Sequence, residues 1–287
     1  MESRVIVIPY TNGEIFKLHP ISDEHTGTKY CAEDTLIAKH KEILKDPYSF
    51  WIQIGDKVEA ITPSDVRYEQ KALADWIKDV DDIPNEQARH YCEIVRPSVE
   101  AKIKDTDISK CLGSGWGNHE WTVRKKCHNN VQKTICDSLK IEDLGYTCIY
   151  HIIFRRENST ESHMFKGAFT HGSGNAQTRG GKLNKLRKFM NQINADFYCY
   201  AHMHDIIIET KPILETNKDG KIIAKEAPGA VTGCYYRTYT QDVISSYGEM
   251  RGYDPVPIGS PIFYLDPQHS EVTVSKGIKS NKTELQA

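Results

Sequence analysis

The sequence predicts an α/β protein, and three observations carry that expectation. The first 60 residues read as strand, helix, strand; residues 50–54 form a short, nearly all-apolar run; and an amphipathic helix near residue 185 leads directly into another apolar strand.

Taken in order, residues 16–21 are β-compatible, and residues 33–45 place Leu36, Ile37, His40, Ile43 and Leu44 on one helical face. The run from Phe50 through Trp51, Ile52 and Gln53 to Ile54 suits a strand buried on both faces of a parallel sheet, so this unit predicts a right-handed crossover. From residue 64 to 104 the pattern turns helical. Leu73, Trp76, Ile77 and Val80 recur at helical spacing, Pro84 breaks the run, and a second candidate helix passes through Tyr91 and Ile94. The acidic residues Asp79, Asp81, Asp82 and Glu86 read as a solvated connection.

A strand ending near Gly113, a helix over 131–139 and strands over 146–155 and 163–170 follow. In the next helix Leu183, Leu186, Met190 and Ile193 share a face, while Lys182, Lys185, Arg187 and Lys188 occupy the rest; it runs into a strand over 196–201. Beyond His204, residues 206–209, 213–216 and 222–225 are strand-like, with Asp219 and Gly220 marking a hairpin turn. With 261–265 and 271–274 they predict a largely antiparallel second sheet in the C-terminal third. Residues 1–275 are expected to form one domain with a helical insert at about 64–104, and residues 276–287 a polar tail.

The 287 residues, 39% of them hydrophobic, suffice for a sizeable buried core. Thirty-seven Lys and Arg against 39 Asp and Glu give a formal charge of −2, so no overall field draws the molecule to a polyanion, and any nucleic-acid contact must come from a local patch. The longest apolar stretches, such as residues 5–8 and 197–201, fall far short of the roughly 18 residues of a membrane helix. The N-terminus lacks the apolar segment of a signal peptide, so a soluble, cytoplasmic protein is expected. Eight cysteines without a C-x-x-C pair argue against a zinc ribbon or redox dithiol and predict reduced, mostly buried thiols.

Five short groups combine His, Asp or Asn with points where strands run out into loops: Asp23-Glu24-His25, Gly55-Asp56, Gly117-Asn118-His119-Glu120, His171-Gly172 and His202-Met203-His204. Strand ends are where open α/β sheets place their sites. On an extended strand or its exit loop, residues i and i+2 point the same way, so Asp23 with His25, and His202 with His204, can each present two ligand atoms to one side. Carboxylates and imidazoles without thiolates suit Mn, Fe or Zn. Seven potential ligands are enough for two ions sharing one carboxylate. His90, His128, His151 and His163 lack such context and read as surface or satisfied core histidines.

The ordered set D-x-H, G-D-x-x-E, G-N-H-E, H-G and x-H-x-H resembles the calcineurin-like metallophosphoesterase superfamily, over about two-thirds of the chain from Asp23 to His204. The resemblance implies a four-layer α/β/β/α sandwich of two mixed sheets with a dinuclear metal site at strand ends. Asp23, His25 and His204 would hold one ion; Asn118, His171 and His202 the other; Asp56 would bridge them. The ions would be two divalent cations, Mn, Fe, Zn or Ni, with Mn favoured. His119 would be catalytic rather than a ligand, and the family's acid at the end of the second motif, here Glu59 in place of the usual Asp, would pair with it. Ala201 stands where the family usually has Gly, which leaves the ligand spacing intact.

Two cations about 3.5 to 4 Å apart can clamp a phosphoryl group and turn a shared water into hydroxide for in-line attack. His119, held by a carboxylate, can stabilise charge on the phosphoryl oxygens or protonate the leaving oxygen. Two basic runs lie next in sequence to ligand groups: Arg124 to Lys126, and the stretch from Arg179 to Lys188, with Lys182 within it. Arg124, Arg179 and Lys182 are therefore candidate substrate contacts, against the plainer reading of a basic helix face. Tyr235, Tyr236, Tyr239 and Tyr247 can stack bases or cover a sheet. The expected function is a two-metal hydrolase of phosphate esters, a phosphodiesterase or nuclease acting on nucleotides or nucleic acid. The alternatives are a phosphomonoesterase acting on a small-molecule or protein phosphate and, in another class, a non-catalytic binding scaffold of the same fold. The intact ligand set argues against the scaffold.

Overall fold

The computed structural model describes residues 1–63, 65, 67–77, 81–217 and 219–278. The expectations for Asp79 and Val80, and for the tail beyond residue 278, lie outside these residues.

Two mixed sheets face each other. The five-stranded sheet is built around β2 (Phe16–Ile21), β3 (Ser49–Ile54) and β4 (Cys111–Gly115), which run parallel. On the other side of β2 lies β10 (Ile262–Asp266), antiparallel to it, and β11 (Glu271–Ser275) forms that edge. The six-stranded sheet has β1 (Glu2–Tyr10) at one edge, then β5 (Thr147–Arg156), β6 (Ser162–Thr170), β7 (Phe197–Tyr200), β9 (Ile222–Thr232) and β8 (Ile206–Thr216). In it β6 and β7 are parallel, whereas β5 with β6 and β8 with β9 are antiparallel.

Apolar side chains define the layers. Phe16, Leu18, Phe50 and Phe263 of one sheet pack between the sheets with Ile8, Ile152, Phe154 and Phe197 of the other. On the outer face of the five-stranded sheet, Ile21, Trp51 and Cys111 meet Leu36 of α1 (Glu33–Lys45), Tyr91 and Val95 of α2 (Ile83–Glu100), Val123 of α3 (Asn118–Cys127) and Ile135 of α4 (Val131–Leu139). Leu186 and Met190 of α5 (Arg179–Gln192) cover Ala168, Tyr198 and Val231 of the other sheet. A short helix α6 (Tyr247–Met250) follows. The result is a four-layer α/β/β/α sandwich.

The expected crossover is present: β2 and β3 pair in parallel on either side of α1. Elsewhere the structure departs from the sequence reading. Strand β1 was not anticipated; it pairs in parallel with β5 along its whole length and keeps alternate residues partly exposed. The expected helix through Leu73 and Ile77 is replaced by single 3-10 turns at Gln70–Ala72 and Asp75–Ile77. Both residues are buried nonetheless, because Leu73 forms a bridge to Thr28 and the Ala74 amide donates to the Gly27 carbonyl. Helix-like spacing here reports loop packing. Pro84 opens α2 rather than breaking a helix, since its first turn needs no amide donor there, and Asp82 caps the Asn85 amide.

The C-terminal third does not form a sheet of its own. Strands β8 and β9 extend the six-stranded sheet, and β10 and β11 extend the other. The two short runs expected over 206–216 are one strand, in which Pro212 is accommodated because β8 is an edge strand. Seven cysteines are buried and Cys127 is exposed. No described helix is long and apolar enough to cross a membrane.

Candidate metal centre

All five groups follow the ends of five parallel-running strands: Asp23 follows β2, Asp56 β3, Asn118 β4, His171 β6, and His202 and His204 β7. Four of the seven residues therefore come from the five-stranded sheet and three from the six-stranded one.

The backbone reaches this arrangement in a way the sequence did not suggest. Asp23, His25, Asp56, His202 and His204 have φ of 53°, 49°, 55°, 69° and 45°, so each D-x-H or H-x-H pair alternates through left-handed residues instead of lying extended. Such conformations are uncommon outside Gly, though Asp and His tolerate them better than most, and they persist where surrounding structure over-determines them. Here the Asp23 amide donates to the Gly55 carbonyl at 3.0 Å, the His25 amide to the Asp56 carbonyl at 3.1 Å, and the His202 amide to the Asp23 carboxylate at 3.1 Å. Two glycines allow the loops to close. A Cβ on Gly117 would lie 2.0 Å from Asp56 Oδ1, and one on Gly55, at φ 89°, 2.5 Å from His171 Nδ1.

Three groups of side chains converge, with the ligand atoms of each within 4.8 Å of one another: Asp23, Asp56, His171 and His202; Asp23, His25 and His204; and His25, Glu59 and His119. Asn118 Oδ1 joins the first, 3.0 Å from His171 Nε2. His171 Nε2 lies 3.1 Å from Asp56 Oδ2, and His204 Nε2 lies 3.2 Å from Asp23 Oδ1. The seven residues singled out in the sequence are thus brought together, six of them in the first two groups and Asn118 through its contact with His171. The carboxylate common to the first two groups is Asp23, whereas the resemblance gives the shared place to Asp56.

The donor set fits divalent cations. Asp23 and His171 are fully buried, and Asp56 and His25 nearly so. Buried Asp23 Oδ1 accepts no hydrogen bond of good geometry although His204 Nε2 lies 3.2 Å away, and a cation would satisfy both atoms. His25 Nδ1 donates to Glu59 Oε2 at 2.8 Å, which leaves His25 Nε2 as a lone pair facing His204 Nε2 at 3.3 Å. A carboxylate on the far nitrogen is the usual means of orienting an imidazole ligand.

Burial pushes the Asp56 carboxyl up, but His171 and then His119 outweigh it and hold it well below the usual carboxylate range. For His171 burial acts downward and is overcome by Asp56, which lifts its pKa to about 9. His202 is depressed to about 4 by burial and by neighbouring His171.

Two expectations change. Glu59 places its carboxylate on His25, and His119 Nδ1 donates to the Glu59 main-chain carbonyl while the carboxylate stays 4.0 Å away. The longer Glu reaches past His119 to the neighbouring ring. Of the three substrate candidates only Lys182 lines the cleft. Arg124 lies on the exposed face of α3 against the rings of Trp116 and Trp121, and Arg179 donates to the Ile206 carbonyl. Among the four tyrosines, Tyr236 and Tyr247 line the cleft; Tyr235 is fully buried and Tyr239 donates to the Tyr253 carbonyl.

Sequence reasoning missed two residues. Arg67 is clamped by Asp65 through Nε and Nη2, at 3.0 and 3.1 Å, and aims Nη1 at His119 Nε2. No motif marks it. Glu120, the last residue of the G-N-H-E group, is fully buried and accepts the amides of Asp56, Lys57 and Gly117 at 3.1, 2.8 and 3.0 Å, with Lys57 Nζ at 3.5 Å. It ties the β3 and β4 loops together beneath the centre.

No protein-family model matches the chain, and neither does any curated protein. Among solved structures, it is similar to a single mutant of Vps29 from Entamoeba histolytica at 13% identity and a TM-score of 0.36, covering 91% of this chain and 97% of that one. It is also similar to the NAD nucleotidase NadN of Haemophilus influenzae at 9% identity and a TM-score of 0.38, covering 91% of this chain and 49% of that one, so the chain spans about half of NadN. At these values neither likeness defines the site, which stands on its own geometry.

Proposed function

We propose that the chain is a phosphoesterase that holds two divalent cations, of the calcineurin-like metallophosphoesterase type. The observation that carries this reading is the convergence of buried carboxylates and imidazoles from both sheets at the mouth of one cleft of about 630 Å³. On this reading residues 1–275 form a single domain, and the segment over 64–104 is an insert that contributes Arg67.

Asp23, His25 and His204 would hold one cation, and Asn118, His171 and His202 the other, with Asp56 and Asp23 close to both. When bound, the pair supplies Lewis acidity toward the phosphoryl oxygens and an activated water near neutral pH, with Mn²⁺ the expected occupant. Glu59 fixes the tautomer of His25. His119 Nδ1 donates to the Glu59 carbonyl, which turns Nε2 toward Arg67 Nη1 at 3.1 Å, and a proton carried at Nε2 would be the one offered to a leaving oxygen. Arg67, anchored on Asp65, brings a permanent positive charge to the same place and suits a phosphoryl oxygen. No side-chain nucleophile is required.

The test is hydrolysis of bis(p-nitrophenyl) phosphate against p-nitrophenyl phosphate, with Mn²⁺ and with a chelator, alongside metal analysis. Mn²⁺-dependent turnover of the diester, abolished in Asp56→Asn, is expected. Absence of turnover with every divalent metal tried, or full activity in Asp56→Asn, defeats the reading.

A further inference from the structure

Resting on that reading, we propose that the cleft beside the centre seats a single flat aromatic group, a nucleobase carried by a small phosphate ester, rather than a polynucleotide strand.

The cleft is continuous from His25, Asp56 and His119 to a wall formed by residues 244–256, and its volume of about 630 Å³ is that of a site for one small ligand. The wall is aromatic and apolar. Tyr236, Tyr247 and Tyr253 line it with Ile244 and Met250, and Tyr68 joins from the segment after β3. Ile244 and Met250 are 40% and 69% exposed, and apolar side chains left open within a concavity mark a surface waiting for a partner. Tyr236 stands between this wall and the centre, its ring 5.0 Å from that of His25 and 5.7 Å from that of His204. An aromatic group stacked there would place its phosphate beside the ligand cluster.

The wall is built in place. Tyr30 donates to the Ile244 carbonyl at 2.9 Å, Tyr239 to the Tyr253 carbonyl at 2.8 Å, and Ser246 to the Thr238 carbonyl at 2.6 Å; the Tyr247 and Tyr253 rings meet edge to face at 6.4 Å. A preformed aromatic surface binds without the cost of ordering loops.

Charge decides against a strand. Beyond the ligand cluster and Glu59, the described lining carries two cations, Arg67 and Lys182, and two acids, Glu69 and Asp254. Tracking a nucleic-acid backbone takes a basic groove with a contact at successive phosphates. The basic residues Lys185, Arg187 and Lys188 of α5 do not line the cleft. One phosphate, held near Arg67, is what this balance accommodates.

The experiment titrates AMP, ribose 5-phosphate and a ten-nucleotide oligothymidylate into the Mn²⁺-loaded protein by calorimetry. AMP should bind about tenfold or more tightly than ribose 5-phosphate, in keeping with base stacking on aromatic side chains. The double substitution Tyr247→Ala with Tyr253→Ala should remove that advantage and leave ribose 5-phosphate unchanged, while Tyr247→Phe retains it. Equal affinities for AMP and ribose 5-phosphate in the wild type, unchanged AMP binding in the double variant, or an oligonucleotide binding tenfold more tightly than AMP would each overturn the proposal. Turnover of bis(p-nitrophenyl) phosphate separates the two readings. Turnover without base preference removes only the aromatic seat, and base-selective binding without turnover removes only the hydrolase.

Discussion

Arg67 Nη1 lies 3.1 Å from His119 Nε2. A guanidinium can only donate, so Nε2 accepts and the ring hydrogen sits on Nδ1, where the Glu59 carbonyl takes it. Burial acts against a charged ring, yet Asp56 and Glu59 more than offset it, so the His119 pKa lies above the ordinary histidine value. Arg67 thus acts against the charged form of a ring whose other neighbours, Asp56 and Glu59, favour it.

That relationship predicts the behaviour of Arg67 variants. Arg67→Ala should lower kcat/KM for bis(p-nitrophenyl) phosphate by about 10²-fold, the scale of losing one donor to a developing anion. Arg67→Lys should recover only part of this, because an ammonium cannot be held in a fork by Asp65. Steady-state kinetics decide the matter, and unchanged kcat/KM in Arg67→Ala would show that the guanidinium does not serve the reaction.

Cation binding should be visible without any substrate. At a hundredfold excess over Kd, a ligand of the native state alone stabilises by about 2.7 kcal/mol. Wild-type protein stripped by a chelator should gain several degrees in Tm when Mn²⁺ is restored, and Asp23→Asn, which neutralises the buried carboxylate, should gain much less. Calorimetry that shows the same gain in both would remove Asp23 from the ligand set.

Gly117→Ala should disable the centre through one methyl group. The added carbon would meet Asp56 Oδ1 at 2.0 Å and the Asp56 amide nitrogen at 2.2 Å, so the carboxylate must move. Weakened Mn²⁺ affinity, measured by titration, is expected; Gly180→Ala, with nothing within 4 Å of its added carbon, is the control that should bind normally.

The buried pair of Lys57 and Glu120 should be costly to break from one side. Both side chains have no exposure, and removing one partner of such a pair typically costs 3–5 kcal/mol because the other charge stays buried alone. Lys57→Met should therefore destabilise strongly in urea. The combination with Glu120→Gln should cost less than the two single changes summed, which a double-mutant cycle measures.

His40 predicts an acid limit. Burial, with Lys39 nearby, depresses its pKa to about 3, and its buried Nε2 has no hydrogen-bond partner to favour a charged ring. A histidine more easily protonated in the unfolded chain contributes stability that is complete above about 6.5 and is lost as the pH falls toward 3. At about 1.4 kcal/mol per tenfold change in proton activity, that span amounts to roughly 5 kcal/mol. His40→Leu should flatten the pH dependence of urea unfolding between pH 6.5 and 4; an unchanged slope would acquit His40.

The sequence spoke clearly where one local rule was enough. Helix α1 falls on residues 33–45 as its apolar spacing requires, and the five candidate groups stand at strand ends as their composition suggested. It misled where a pattern had two physical causes. Leu73 and Ile77 repeat like a helix face but are buried by a loop clasped to Thr28 and Gly27, and β8 to β11 look like a sheet of their own until partner choice divides them between two. Glu59 and Arg67 show the third kind of failure. Which ring a carboxylate reaches, and which residue of a long connection folds over a cleft, are decided by tertiary distances that no spacing encodes.

The division of the ligand set between the sheets has a mechanical result. Asp23, Asp56 and Asn118 ride on one layer and His171, His202 and His204 on the other, with ring pairs such as Phe16 and Phe154, 4.7 Å apart, filling the seam between them. A metal pair seated at that seam would act as a rivet: sliding one layer over the other would shear its coordination, and withdrawing it would let the layers breathe. Amide exchange deep in the sandwich would then depend on whether the rivet is in place, far from any residue that touches it.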